Sequence, residues 1–211
     1  MHIPRITKAH KTGFGRRVGI ILALVFAVFL LVRKEGVHEP EKALPVPQKT
    51  QQLQTQNIIS TTKPMYISSS AFKDNEHIPY QYTCDGKNTN PSFAIADVPT
   101  SAKSLAFIMD DPDAPGGEWV HWILWNIDPA TVEISEHSVP SGAVEGVTDF
   151  KKPGYGGPCP PDGLHRYFFK LYALDAKLDL PQSAAKADLE KAMQGHIVSQ
   201  AQLVGLYARG Y

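Results

Sequence analysis

Three apolar runs, separated by loops crowded with proline and glycine, constrain this chain more than any other feature. Residues 104–110 (SLAFIMD) set Leu105, Phe107 and Met109 against Ala106 and Ile108, so both faces of an extended segment are apolar. Residues 121–127 (HWILWNI) repeat the pattern, with Trp122 and Leu124 opposite Ile123 and Trp125, and residues 167–175 (YFFKLYALD) give a third such run. Aromatic and branched side chains suit pleated, packed surfaces. The intervening DDPDAPGGE, VPSGAVEG and KKPGYGGPCPPDG read as turns and loops. One stretch reads as helix: Ser183 as cap of AAKADLEKAM, Leu189 and Met193 on one side, Gly195 as stop. After it, VSQAQLVGLYAR returns to strand-like composition. Many strands with one late helix predict a mostly β fold, an antiparallel β-sandwich with a short C-terminal helix.

The amino-terminal part has another character. Residues 18–32 (VGIILALVFAVFLLV) carry no charge. At about 1.5 Å per residue they span roughly 22 Å, and Arg16, Arg17, Arg33 and Lys34 can extend the reach by snorkelling. The run predicts one N-terminal transmembrane helix over residues 18–34. The rival is a cleaved signal peptide, but neither an A-x-A pattern nor a lipid-accepting cysteine follows. Arg5, Lys8, Lys11, Arg16 and Arg17 put the greater basic charge before the run, which places residues 1–17 in the cytoplasm. Residues 35–64 are rich in proline, glutamine and charge and read as a flexible linker, leaving residues 65–211 as the folded domain. The expectation is a single-pass protein of the cytoplasmic membrane, its domain facing the periplasm or cell exterior.

The formal net charge is zero, which argues against a nucleic-acid partner; a phosphate-backbone binder shows a basic stripe. Two cysteines, Cys84 and Cys159, lack metal-finger spacing and allow one bridge.

Polar groups concentrate in three clusters at strand ends. Asp110-Asp111-Pro112-Asp113-Ala114-Pro115 is a stiff acidic loop, although aspartate and proline are also ordinary turn residues. Trp119-Val120-His121 leads into an apolar run, where a lone histidine is more often a core residue than a ligand. The third cluster runs from Gly154 to Tyr167 and contains Cys159, Pro160, Pro161 and His165. His165 and Tyr167, two apart on a strand start, share a face; Arg166 takes the other, which suits a structural ion pair. If these ends meet, imidazoles, a tyrosine hydroxyl and backbone amides offer donors to an anion, with aspartates favouring the charged histidines.

The motifs YTCDGKNTNPSF, KSLAFIMDDPDAPGG, HWILWNI and YGGPCPPDGLHRYFFKLYALD stand in an order that resembles the phosphatidylethanolamine-binding protein family, in its bacterial Raf kinase inhibitor-like branch. The resemblance runs from about Tyr66 to Arg209. Asn90-Pro91 departs from the family's Ser-Pro. The resemblance implies a β-sandwich with an anion pocket at one end. Carried onto this chain, the pocket residues are Asp111, Asp113, His121, Pro160, Pro161, His165 and Tyr167, with Trp119 at the pocket edge and Tyr207 as a nearby carboxyl-terminal tyrosine. The implied partner is a phosphate-bearing small molecule, phospholipid headgroup or modified peptide, bound without cofactor, resident metal or catalytic residue; a protein partner stays open. Two alternatives remain: a metal-dependent phosphoester hydrolase using Asp111, Asp113, His121 and His165, or a structural envelope protein without a ligand.

Overall fold

The structure is a computed structural model that describes residues 63–210. Its elements in chain order are β1 (Tyr66–Ser68), β2 (Glu76–His77), a 3-10 turn (Tyr80–Tyr82), β3 (Phe93–Ala96), β4 (Ser104–Asp111), β5 (Trp119–Ile127), β6 (Glu133–Ile134), β7 (Val144–Glu145), β8 (His165–Leu174), α1 (Lys186–Met193) and β9 (Ile197–Tyr207). The three apolar runs become β4, β5 and β8, which lie side by side in a six-stranded sheet of order β2-β9-β8-β4-β5-β7. Strands β1, β3 and β6 form a separate three-stranded sheet.

Alternation along β4 decides how this sheet must be covered. Leu105, Phe107 and Met109 face one core, joined by Trp122, Leu124, Tyr167, Phe169 and Leu171 and closed by Ile67, Phe93, Ile95 and Ile134 from the small sheet. Ala106 and Ile108 face the other, with Ile123, Trp125 and Leu174, closed by Leu178, Ala184, and Leu189 and Met193 of α1. Every residue of β4 is buried. A strand apolar on both faces needs a layer on each side.

The expected antiparallel β-sandwich is therefore corrected. The large sheet is mixed, because β2 runs parallel to β9. It is also the middle layer, with the small sheet on one side and α1 on the other, instead of one of two facing antiparallel sheets. The helix starts at Lys186, not after Ser183: Ala185 is its cap residue, and the Ala185 N–H donates to Asp188 Oδ2 at 3.0 Å. Gly195, at φ +79°, follows the helix end as expected.

The single-pass membrane architecture is corrected as well. Among the described residues no helix is long and apolar enough to cross a membrane. The apolar run at 18–32 lies outside the described residues, and so do the expected cytoplasmic segment and nearly all of the linker. The expected placement in the cytoplasmic membrane does not stand.

Two irregularities interrupt β5. In the β4–β5 ladder Met109 pairs with Trp122 and Asp110 with Val120, so His121 is the extra residue of a β-bulge. Strict alternation puts His121 on the helix face beside Ile123. Instead Val120 packs there, and the His121 ring meets Tyr167 edge-on at 5.2 Å on the opposite face. The second is Asn126, at φ +57° beside the other register shift; its side chain donates to Leu178 O at 2.9 Å and accepts from Leu178 N–H at 2.8 Å, tying β5 to the segment leading to α1.

Candidate functional site

The carboxyl end of β4 and the starts of β5 and β8 meet at one end of the large sheet, because β4 runs antiparallel to both neighbours. A cavity of about 340 Å³ opens there, lined by Asp111, Trp119, His121, Cys159, Pro160, Pro161 and His165, together with Ala114, Pro115, Gly116 and Phe150.

Its polar floor is built from two histidines with different partners. His165 is buried, and its Nδ1 lies 2.7 Å from Asp111 Oδ2. A carboxylate only accepts, so Nδ1 carries the proton and Nε2 is the atom left to meet a ligand. Asp111 is fixed in turn by the Asp113 N–H, which donates to its Oδ1 at 2.8 Å. Nδ1 of His121 donates to the Gly156 carbonyl at 2.7 Å. Burial pushes the His121 pKa below the ordinary histidine value, overriding the Gly156 carbonyl and Asp111, which favour the charged form. His121 is therefore neutral at pH 7, and its Nε2 is an acceptor.

Tyr167 lies beneath His121. Its hydroxyl is buried and makes no hydrogen bond of normal geometry. Burial and the neighbouring Asp111 hold its pKa above the ordinary tyrosine value.

The rim is aromatic. Trp119 is 40% exposed and Phe150 37%. Their rings meet edge-on at 5.6 Å, and Phe150 also meets the His121 ring at 5.4 Å. Phe150 is placed by its neighbour: Asp149 Oδ2 accepts from Val120 N–H at 2.8 Å, and Asp149 N–H donates to Val120 O at 3.2 Å. That exchange clips the loop to the bulged end of β5.

A family model described as phosphatidylethanolamine-binding protein matches residues 68–208. The chain belongs to this family. A protein of Methanothermobacter thermautotrophicus named UPF0098 is 49% identical over 151 residues, covering 69% of this chain and 100% of the relative. The crystal structure of a phosphatidylethanolamine-binding protein homologue from Chlamydia trachomatis superposes with a TM-score of 0.67 at 40% identity, over 69% of this chain and 98% of that one. The Escherichia coli protein YbcL, described as a new member of the mammalian family, gives 0.65 at 31% identity, over 68% and 98%.

Within this phosphatidylethanolamine-binding protein fold, the residues carried over from the motifs part company. Asp111, Trp119, His121, Pro160, Pro161 and His165 share the cavity. Tyr167 supports the floor without lining it. Asp113 does not line it; both its oxygens are taken by Arg166, with Nε at 2.8 Å from Oδ2 and Nη2 at 2.7 Å from Oδ1. The Arg166 guanidinium holds the Asp113 carboxyl down at about pKa 2. Tyr207 is also occupied elsewhere, its hydroxyl donating to Asp85 Oδ2 at 2.8 Å. Of the four residues named for a hydrolase metal, Asp113 is taken by Arg166, His121 by the Gly156 carbonyl, and Asp111 and His165 by each other; among the described residues no group of three or more such side chains could hold a metal ion. Asn90, where the family motif has serine, is buried; it accepts from Ser138 N–H at 3.1 Å and donates to Ser135 O at 2.9 Å, anchoring a loop away from the cavity.

Phe150 and the Ala114–Gly116 turn were not among the expected pocket residues. Phe150 stands alone between charged residues in TDFKKPG, with no periodic pattern to mark it. Cys84 and Cys159, for which a bridge was one open possibility, are disulfide-bonded with Cα atoms 5.4 Å apart.

Proposed function

We propose that this chain is a binding protein whose cavity accepts a phosphate-bearing ligand, either a phospholipid headgroup or a small phosphorylated molecule. The observation that carries the reading is the Asp111–His165 pair. It fixes one imidazole at the cavity wall with Nδ1 already engaged, so that Nε2 can donate a charge-assisted hydrogen bond once the ring is protonated. Neutral His121 complements it: its Nε2 accepts from the P–OH of a singly charged phosphate. The unsatisfied Tyr167 hydroxyl lies within the influence of Asp111 and the Cys159 backbone, both belonging to cavity-lining residues, and can serve as a further partner. Trp119, Phe150 and the prolines supply an apolar collar that excludes water from the ion. Membership of a ligand-binding family supports the same reading.

Calorimetric titration with phosphoethanolamine, inorganic phosphate and ethanolamine tests it. Both phosphate-bearing compounds are expected to bind and ethanolamine is not. Stronger binding of phosphoethanolamine than of inorganic phosphate marks the headgroup source. A ligand that binds only the folded state also raises Tm. No binding heat and no rise in Tm with either phosphate compound refutes the reading in favour of a structural protein.

A further inference from the structure

One wall of the cavity is held by sulfur. Cys159 lines the cavity between Pro158 and Pro160, whereas Cys84 does not line it, and both cysteines are half-buried. Their bridge spans a sequence separation of 75 and joins the turn after Tyr80–Tyr82 to the proline-rich wall. Cys84 N–H donates to Pro158 O at 3.1 Å, and Gly157 N–H donates to Asn88 Oδ1 at 2.7 Å, so the same two segments also meet through their backbones. Beyond the end of β9, Arg209 brings a cation to the sulfurs: its Nη2 lies 3.2 Å from Sγ of Cys84 and 3.2 Å from Sγ of Cys159. Asp85 is the opposing charge. It receives Arg209 Nε at 3.2 Å, and the Tyr207 hydroxyl and Arg209 hold its pKa below the usual carboxylate value.

Thiol–disulfide exchange depends on which sulfur is accessible and on how well the departing sulfur carries negative charge. A neighbouring guanidinium stabilises a thiolate. This bridge has both features: Cys159 lines the open cavity while Cys84 does not, and the Arg209 guanidinium lies beside both sulfurs, so it can stabilise whichever one departs.

We propose that Cys84–Cys159 is a redox-active disulfide, opened from the cavity by a small thiol. The incoming thiolate attacks Cys159 Sγ and forms a mixed disulfide there. The Cys84–Cys159 bond breaks, and its electron pair leaves on Cys84 Sγ, beside Arg209. A second thiol then attacks the small-molecule sulfur of the mixed disulfide, releasing Cys159 as a thiolate and the oxidised small molecule. Two thiols are oxidised to one disulfide while the protein bridge is reduced to two thiols. Opening removes the covalent tie between the Pro158–Pro161 wall and the turn at Cys84, so the reaction acts directly on the shape of the pocket.

The test uses the full chain, incubated with reduced glutathione in native buffer, quenched with N-ethylmaleimide and mapped by mass spectrometry. Glutathione is expected on Cys159 and maleimide on Cys84, in about fivefold or greater excess over the reverse arrangement. Arg209→Gln is expected to slow opening by about threefold or more, and Arg209→Lys to retain most of the parental rate. The Arg209 side chain is about half exposed, so both variants keep the fold, which circular dichroism checks. Opening only after denaturant is added, an even distribution of glutathione, or a parental rate in Arg209→Gln overturns the proposal. No step depends on the identity of the ligand, so failure here leaves phosphate binding standing, and failure of phosphate binding leaves this test intact.

Discussion

Asp110 and Asp111 are neighbours in the chain and opposites in the fold. Strand alternation sends Asp110 to the helix side of the large sheet, where it is fully buried and its Oδ2 receives Lys170 and Lys186, each at 2.7 Å. Lys186, at the start of α1, also pairs with Glu118 and with Glu190 one turn on. Burial works against the charge on Lys186, but Asp110 and Glu118 outweigh it and hold its pKa above the ordinary lysine value. Asp111, on the other face, has one cation-forming partner, His165, at the wall of an open cavity. The partners on the helix side are two lysine ammonium groups; the partner on the cavity side is an imidazole whose second nitrogen is left for a ligand. The same side chain thus clamps a helix to a sheet on one face and prepares an imidazole for a ligand on the other.

The two aspartates should not be interchangeable. Asp110→Ala leaves two lysines facing a buried site, and removing one partner of a buried ion pair costs about 3–5 kcal/mol. Denaturant unfolding should show that loss, with phosphate affinity of the folded protein unchanged. Asp111→Ala should cost less, about 1–3 kcal/mol for a lost buried hydrogen bond, while phosphate binding falls. Equal stability losses, or equal effects on binding, contradict the division between the faces.

Stability and phosphate affinity should answer pH differently. His121 has a folded pKa below its unfolded value because burial disfavours its charge. In the window between the two values the unfolded chain binds the extra proton, so the stability contributed by neutral His121 is present above about pH 6.5 and is lost as pH falls below it. Unfolding curves from pH 7.5 to 5 should show this decline, and His121→Gln should flatten it. Phosphate affinity should move the other way, rising at mildly acid pH as P–OH groups become available to the neutral His121 Nε2 and falling as pH rises. The smallest effect is expected from Arg166→Ala, at a largely exposed pair. Its readout is the Asp113 carboxyl, which NMR should find shifted up from about 2 toward the ordinary aspartate range.

Apolar alternation makes β4, β5 and β8 legible in the sequence, and it also contains the three-layer arrangement: Ala106 and Ile108 need a cover just as Leu105 and Phe107 do. A two-sheet sandwich with a short C-terminal helix gives that helix no face to cover, although Leu189 and Met193 are part of the cover. Two-residue strands such as β2 and β7 carry no periodicity, so the parallel β2–β9 pairing leaves no trace in the sequence. The pocket motifs are legible as a set, but not their division of labour. Asp113 turns to Arg166, whose opposite-face position predicts an ion pair without naming the partner. His121 reaches the cavity only through a one-residue bulge, which alternation cannot foresee.

In the proposed function, His165, held by Asp111, binds the phosphate of the ligand. Calorimetric titration of phosphoethanolamine into the parent protein and into His165→Ala, at one mildly acid pH, tests it most directly. Loss of one charge-assisted hydrogen bond should weaken binding by about 1.5–3 kcal/mol, roughly ten- to a hundredfold in Kd, with the fold unchanged by circular dichroism. A His165→Ala variant that folds normally and binds phosphoethanolamine as tightly as the parent would rule out His165 as the phosphate-binding residue.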